Sequence, residues 1–129
     1  MATDFFETCK TGTVADIKAA LGAGASLSAR NAFDRTAIMC AAGNNPDAAV
    51  LAALLAAGAS VTEANKNGKS PLMLAAAYNT NPAIVLALLA AGADAKAKDA
   101  AGKTVLEYAA ENAALKGTPA LESLRKAGS

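Results

Sequence analysis

The sequence predicts an all-α repeat solenoid: stacked helix-turn-helix pairs with projecting β-hairpin fingers. Three observations predict it. Ser70-Pro71-Leu72-Met73-Leu74-Ala75-Ala76 has echoes at Thr36 and Thr104, each 34 residues away. Gly24-Ala25-Ser26, Gly58-Ala59-Ser60 and Gly92-Ala93-Asp94 keep the same 34-residue step. Between the two markers lie apolar stretches at helical spacing. Two markers sharing one period signal a repeat array, in which a single unit cannot bury its own apolar faces and stacking must do so.

The chain divides as one domain, residues 1–129, into an N-terminal cap (1–30), two full repeats (31–64 and 65–98) and a C-terminal cap repeat (99–129). In the first unit Phe5-Phe6-Glu7-Thr8-Cys9-Lys10 reads as a helix and Thr11-Gly12-Thr13 as a break. Val14, Ile17 and Leu21 give a second helix that Gly22 and Gly24 end. In the second unit a helix runs from Ala37 to about Gly43, Asn44-Asn45-Pro46 is a loop, and Val50, Leu51, Leu54 and Leu55 form a broad stripe. The third unit repeats this plan. Ser70 is a natural N-cap, Pro71 fits the first helical position, and Ile84, Val85, Leu88 and Leu89 follow the loop Asn79-Thr80-Asn81-Pro82. In the last unit Thr104 and Glu107 form a capping-box pattern. Its second helix, about Thr118 to Lys126, keeps Leu121 and Leu124 but sets Arg125 where the others have Leu55 and Leu89, as a cap facing water requires. The segments joining the units alternate small and polar residues around Gly and Asn, which predicts the fingers. Ile38, Leu72 and Leu106 are expected to be equivalent in successive layers, as are Val50 with Ile84 and Leu54 with Leu88.

At 129 residues the chain is one domain long, with net charge +1, 4% aromatics, no Trp and no His. Scarce aromatics and abundant alanine suit helices in close approach. The missing His removes the commonest general base and metal ligand. Cys9 and Cys40 are far apart in the sequence and read as buried small hydrophobes in a reducing compartment. No charged stretch followed by an apolar one opens the chain, so no signal peptide and a cytoplasmic location are expected. The apolar runs from Ala48 to Ala59 and Ala83 to Ala93 fall far short of the ~18 residues a membrane span needs.

By its motifs the chain resembles the ankyrin repeat family, whose signature is T-P-L-H-x-A at a period of about 33. The signature stands here as Ser70-Pro71-Leu72-Met73-Leu74-Ala75 and, more loosely, as Thr36 to Ala41 and Thr104 to Ala109. Gly92-Ala93-Asp94 and the turns Asn65-Lys66-Asn67-Gly68 and Asp99-Ala100-Ala101-Gly102 match the family pattern. The extra residue per repeat, with Asn-Pro in the inter-helix loop, resembles bacterial members. Met39, Met73 and Glu107 replace the signature His, and Asp34 replaces the turn glycine. Asp tolerates a positive φ better than most residues. The resemblance implies protein–protein recognition on a concave face made of hairpin tips and first helices.

Motifs for catalysis are weak. Gly68-Lys69-Ser70 and Gly102-Lys103-Thr104 look like the end of a phosphate loop, but the required earlier glycines are Glu63 and Ala97. Gly22 and Gly24 read as a helix stop. Glu107 and Glu111, one turn apart, read as a solvated face. The expectation is therefore a non-enzyme without cofactor or metal, a monomer that binds a protein partner and neither nucleic acid nor membrane. A structural or self-associating scaffold, engineered or natural, is the alternative. Phe33 and Tyr78 are expected contact residues, being aromatics on the face that the family uses. The three finger segments carry seven cations against four carboxylates. Arg30, Arg35, Lys66, Lys69, Lys98 and Lys103 are expected to stand at equivalent positions beside the turns and line up as one basic edge, facing an acidic partner surface. Glu111 and Asn112, at the end of the last first helix, complete the expected contact set.

Overall fold

The computed structural model describes residues 5–128, so the mildly acidic opening Met1 to Asp4 and the final Ser129 lie outside the described residues. Among the described residues the chain forms eight α-helices: α1 (Phe5–Thr11), α2 (Val14–Gly22), α3 (Ala37–Asn44), α4 (Ala48–Ala56), α5 (Pro71–Tyr78), α6 (Pro82–Ala90), α7 (Val105–Glu111) and α8 (Pro119–Ala127). A short 3-10 helix, Ala113–Leu115, precedes α8. The odd-numbered helices pack in one row, α1 on α3 on α5 on α7. The even-numbered ones pack in a second, α2 on α4 on α6 on α8.

Caps set these helix limits. The Ser70 hydroxyl accepts from Met73 N–H at 3.3 Å, with Pro71 at the first position of α5. Thr104 accepts from Glu107 N–H at 3.2 Å, which is one half of the expected capping box. A reciprocal box forms instead between Thr13, the last residue of the stretch read as a mere break, and Asp16 in α2. Thr36 caps α3 by backbone position only, and its buried Oγ1 has no hydrogen-bond partner. Gly24, Gly58 and Gly92 all take positive φ, near +100°, just past α2, α4 and α6.

The core fills the space between the rows. Val50, Ile84, Leu54 and Leu88 are fully buried, and so are Ile38 and Leu72. Leu106 is half-buried, because α7 has a first-helix neighbour on one side only. Ala37, Ala41, Ala42, Ala75, Ala76 and Ala109 are buried in the odd-numbered row, where small side chains let helices approach closely. At the C-terminal end Leu121 and Leu124 are buried and Arg125 faces water.

A buried asparagine ladder joins the layers. Asn45 Nδ2 donates to the carbonyls of Cys9 (3.0 Å) and Gly12 (3.1 Å). Asn79 repeats this one layer on, to Ala42 (2.7 Å) and Asn45 (3.0 Å). Asn112 repeats it again, to Ala76 (2.9 Å) and Asn79 (3.0 Å). Each amide thus satisfies carbonyls at the end of the preceding first helix, which burial would otherwise leave orphaned. The Asn112 carbonyl accepts from Leu115 N–H at 3.0 Å, so the 3-10 turn closes the ladder.

The fingers are tight turns rather than paired strands. A single isolated antiparallel bridge, Lys98 with Thr104, is the only β pairing among the described residues.

Candidate functional site

The candidate site is the face built by the three inter-unit turns and the odd-numbered helices. Each turn is held the same way. Asn31 Oδ1 accepts from Phe33 N–H (2.9 Å) and Arg35 N–H (3.0 Å). Asn65 does this for Asn67 (2.9 Å) and Lys69 (3.0 Å), and Asp99 for Ala101 and Lys103 (2.9 Å each). The side chain replaces the backbone partner that a turn lacks, which is why Asn and Asp serve here. The turn glycines Gly68 and Gly102 have φ of +76° and +83°. Asp34 stands at their position with φ +59°, the sole non-glycine at positive φ among the described residues.

The turns are alike inside and differ in how they join. Ala100 N–H donates to Asn67 C=O at 2.9 Å, sealing the third turn onto the second. Gly68 makes this approach possible: a Cβ there would stand 2.8 Å from Ala100 N. Between the first and second turns Asp34, which carries a Cβ, stands at the position of Gly68, and the equivalent backbone bond is missing. Arg30 spans this joint instead, donating from Nη1 to Ala64 C=O (3.1 Å) and to Asp34 C=O (3.4 Å) and lying 3.5 Å from the Asp34 carboxylate.

Around the third turn a polar cluster forms on Tyr108. Its hydroxyl donates to Asp99 Oδ2. Lys103 Nζ lies 4.6 Å from the ring centroid and Lys69 Nζ 5.6 Å, within cation–π range. Lys103 also pairs with Glu111 at 2.8 Å, across a surface where such pairs are worth little. The hydrogen bond to Asp99 pushes the Tyr108 hydroxyl up to about 12. The same bond, helped by the Lys103 and Ala101 N–H groups, holds the Asp99 carboxyl below its ordinary value, because hydrogen bonds to the charged form favour it. Glu111 raises Lys103.

The expected contact residues are placed as follows. Phe33 is 67% exposed at the tip of the first turn and Tyr78 is 54% exposed at the end of α5. Arg30, Lys66, Lys98 and Glu111 are exposed; Arg35, Lys69 and Lys103 are half-buried. Asn112 is half-buried, and its amide is spent on the ladder. The basic residues do not share one register, which corrects the single edge. Arg35, Lys69 and Lys103 stand 34 residues apart in one file. Arg30 and Lys98 belong to a second file interrupted by Ala64, and Lys66 has Ala32 and Ala100 as its equivalents. Arg30 and Lys103 are moreover committed to Asp34 and Glu111.

Sequence reading missed Tyr108 and the bridging role of Arg30. A signal existed for Tyr108: its equivalents are Leu74 and Cys40, so it is the one position of that file with a hydroxyl to reach the turn. Among the described residues there is no group of side chains able to hold a metal ion, and no helix long and apolar enough to cross a membrane. No curated protein matches the chain. A family model described as ankyrin repeats (3 copies) matches residues 5–99 and again residues 50–125. With the turn-and-helix-pair unit repeated in the structure and the family match running almost from end to end, the chain belongs to the ankyrin repeat family.

Proposed function

We propose that this chain is a non-catalytic binding module that takes a protein partner on the face of its turns and first helices. Ankyrin repeats are generally protein–protein interaction modules and are typically non-catalytic. The observation that carries the reading here is the exposure of Phe33 and Tyr78 on elements of that face, while other large hydrophobic side chains are mostly buried. Exposed aromatics offer large contact area at low entropic cost, which is how binding hot spots are built. Arg30, Arg35, Lys66, Lys69, Lys98 and Lys103 surround the turns and favour a partner with an acidic surface, with Glu111 and Asn112 bounding the contact at the last repeat. A cytoplasmic setting suits two buried cysteines that form no disulfide, Cys9 and Cys40. The test is the double variant F33A/Y78A, compared with wild type in affinity capture from the source cell followed by quantitative mass spectrometry. The variant should keep its melting temperature and lose the proteins that wild type retains. Retained capture with a lowered melting temperature would make these rings structural.

One observation favours self-association as a second reading. No charged residue lies between Ala48 and Thr62 or between Ser70 and Ala93, and Leu86 is 38% exposed on α6. The outward backs of α4 and α6 are therefore uncharged. A dimer mass in sedimentation, abolished by Leu86→Glu, would support that reading; a monomer mass at high concentration would remove it.

A further inference from the structure

We propose that the joint between the first and second turns is a docking notch for an extended, acidic segment of the partner, which completes there the backbone bond that this chain makes for itself one repeat later. This rests on the binding-module reading and names where and how the partner is gripped. The second and third turns are sealed by Ala100 N–H on Asn67 C=O. The equivalent groups one repeat earlier are Lys66 N–H and Phe33 C=O, and neither makes a hydrogen bond among the described residues. The cause is one residue. Gly68 lets the third turn come in, whereas Asp34 puts a Cβ at the same position while holding the same left-handed backbone, φ +59° against +76°. Arg30 keeps the joint spanned from its side, so the gap is a built feature and not a frayed end.

An open donor and an open acceptor on neighbouring turns are what an extended main chain can satisfy, as in strand addition at a sheet edge. Side chains around the notch select the occupant. Phe33 stands beside it with most of its ring in water. The two turns carry Arg30, Arg35, Lys66 and Lys69 against Asp34 and Glu63. Asp34 is already held by Arg30, and no carboxylate lies within ion-pair distance of Arg35 or Lys66 among the described residues. The notch therefore asks for main-chain hydrogen bonds together with carboxylates.

The experiment compares Asp34→Gly with Asp34→Asn. Asn keeps a Cβ at the position, tolerates the left-handed backbone and removes the charge; Gly removes the charge too but, as at Gly68, would let the next turn close onto the first. The probe is a fluorescein-labelled, threonine-rich peptide carrying two glutamates, read by anisotropy, with the lysine-for-glutamate peptide as control. Wild type should bind the acidic probe and not the basic one. D34N should bind it at least as well. D34G should bind it about tenfold more weakly than D34N, the loss expected from one or two hydrogen bonds. Charge alone would give the two variants equal affinity, so the difference isolates the closed joint. Amide exchange supplies the second readout: the Lys66 N–H should exchange fast in wild type and D34N, and become protected in D34G. Equal probe affinity for D34G and D34N, no binding of the acidic probe by wild type, or a Lys66 amide already protected in wild type overturns the proposal. Loss of partner capture by F33A/Y78A alongside equal D34G and D34N affinities would leave the binding face standing and remove only the notch.

Discussion

Asp99 shows how one carboxylate can serve two ends. One oxygen organises the third turn and the other receives the Tyr108 hydroxyl. The contact makes a definite pH signature. The Tyr108 pKa is raised to about 12 in the folded protein, so its stabilising share is complete below the ordinary tyrosine value near 10 and is lost as pH climbs through 12. The Asp99 value is lowered, so its share is present above the ordinary carboxyl value and is lost as pH falls through the folded one. Between these limits the contact contributes constantly. Thermal melts of wild type and Y108F across pH 9–12 should therefore diverge, with wild type losing more stability over that window. Parallel curves would show that the hydroxyl does not rely on Asp99. Asp99→Asn should preserve the turn at neutral pH, since Asn31 and Asn65 do the same work in the other two turns, and should abolish the divergence.

At the scale of elements, the ladder sets how one helix pair follows another. Asn79 is buried and the two bonds its Nδ2 donates end on the carbonyls of Ala42 and Asn45. Asn79→Ala would strand both acceptors in the interior, and we expect a loss of about 2–4 kcal/mol from the usual cost of buried unsatisfied groups. Asn112→Ala, at the half-buried last rung, should cost less, measured in the same urea titrations. Equal losses at both positions would mean that burial does not govern the ladder. The caps and stripes of the helices were legible in sequence because each depends on residues close along the chain, such as Ser70, Pro71 and Met73. The ladder was not, since its partners lie 33 to 37 residues apart and an asparagine in a short inter-helix stretch reads as an ordinary loop. Leu115 was missed for the same reason: its burial in the last loop comes from packing across units.

Over the whole molecule, charge is arranged by repeat and thinned by pairing. The middle of the solenoid has uncharged helices, and its cations gather at the turns. Of the turn cations, Arg35, Lys66, Lys69, Lys96 and Lys98 have no ion-pair partner among the described residues, so the field that a partner meets comes from these. Such a field acts mainly on the rate of encounter. The association rate with the captured partner should fall as ionic strength passes ~0.1 M, where the Debye length is ~10 Å. The reversal K66E/K69E should slow association without unfolding the repeat. A rate unmoved by salt and by the reversal would mean that recognition is carried by the aromatics alone.

The sequence by itself determined the period, the helix pairs, the glycine stops after α2, α4 and α6, and the layer equivalence of Ile38 with Leu72 and of Val50 with Ile84. These follow from local caps and from apolar spacing repeated at 34 residues, which leave stacking as the way to bury the faces. It also marked Asp34 as the odd member of the turn series. Only the tertiary structure showed that the bond joining the third turn to the second has no counterpart beside Asp34. Whether a Cβ at the turn position collides with the next turn depends on the distance between layers, and no spacing along the chain encodes that distance. The same holds for Tyr108, whose hydroxyl finds Asp99 only once α7 is set against its own turn, and for the basic residues, which stacking sorts into separate files and pairing partly silences.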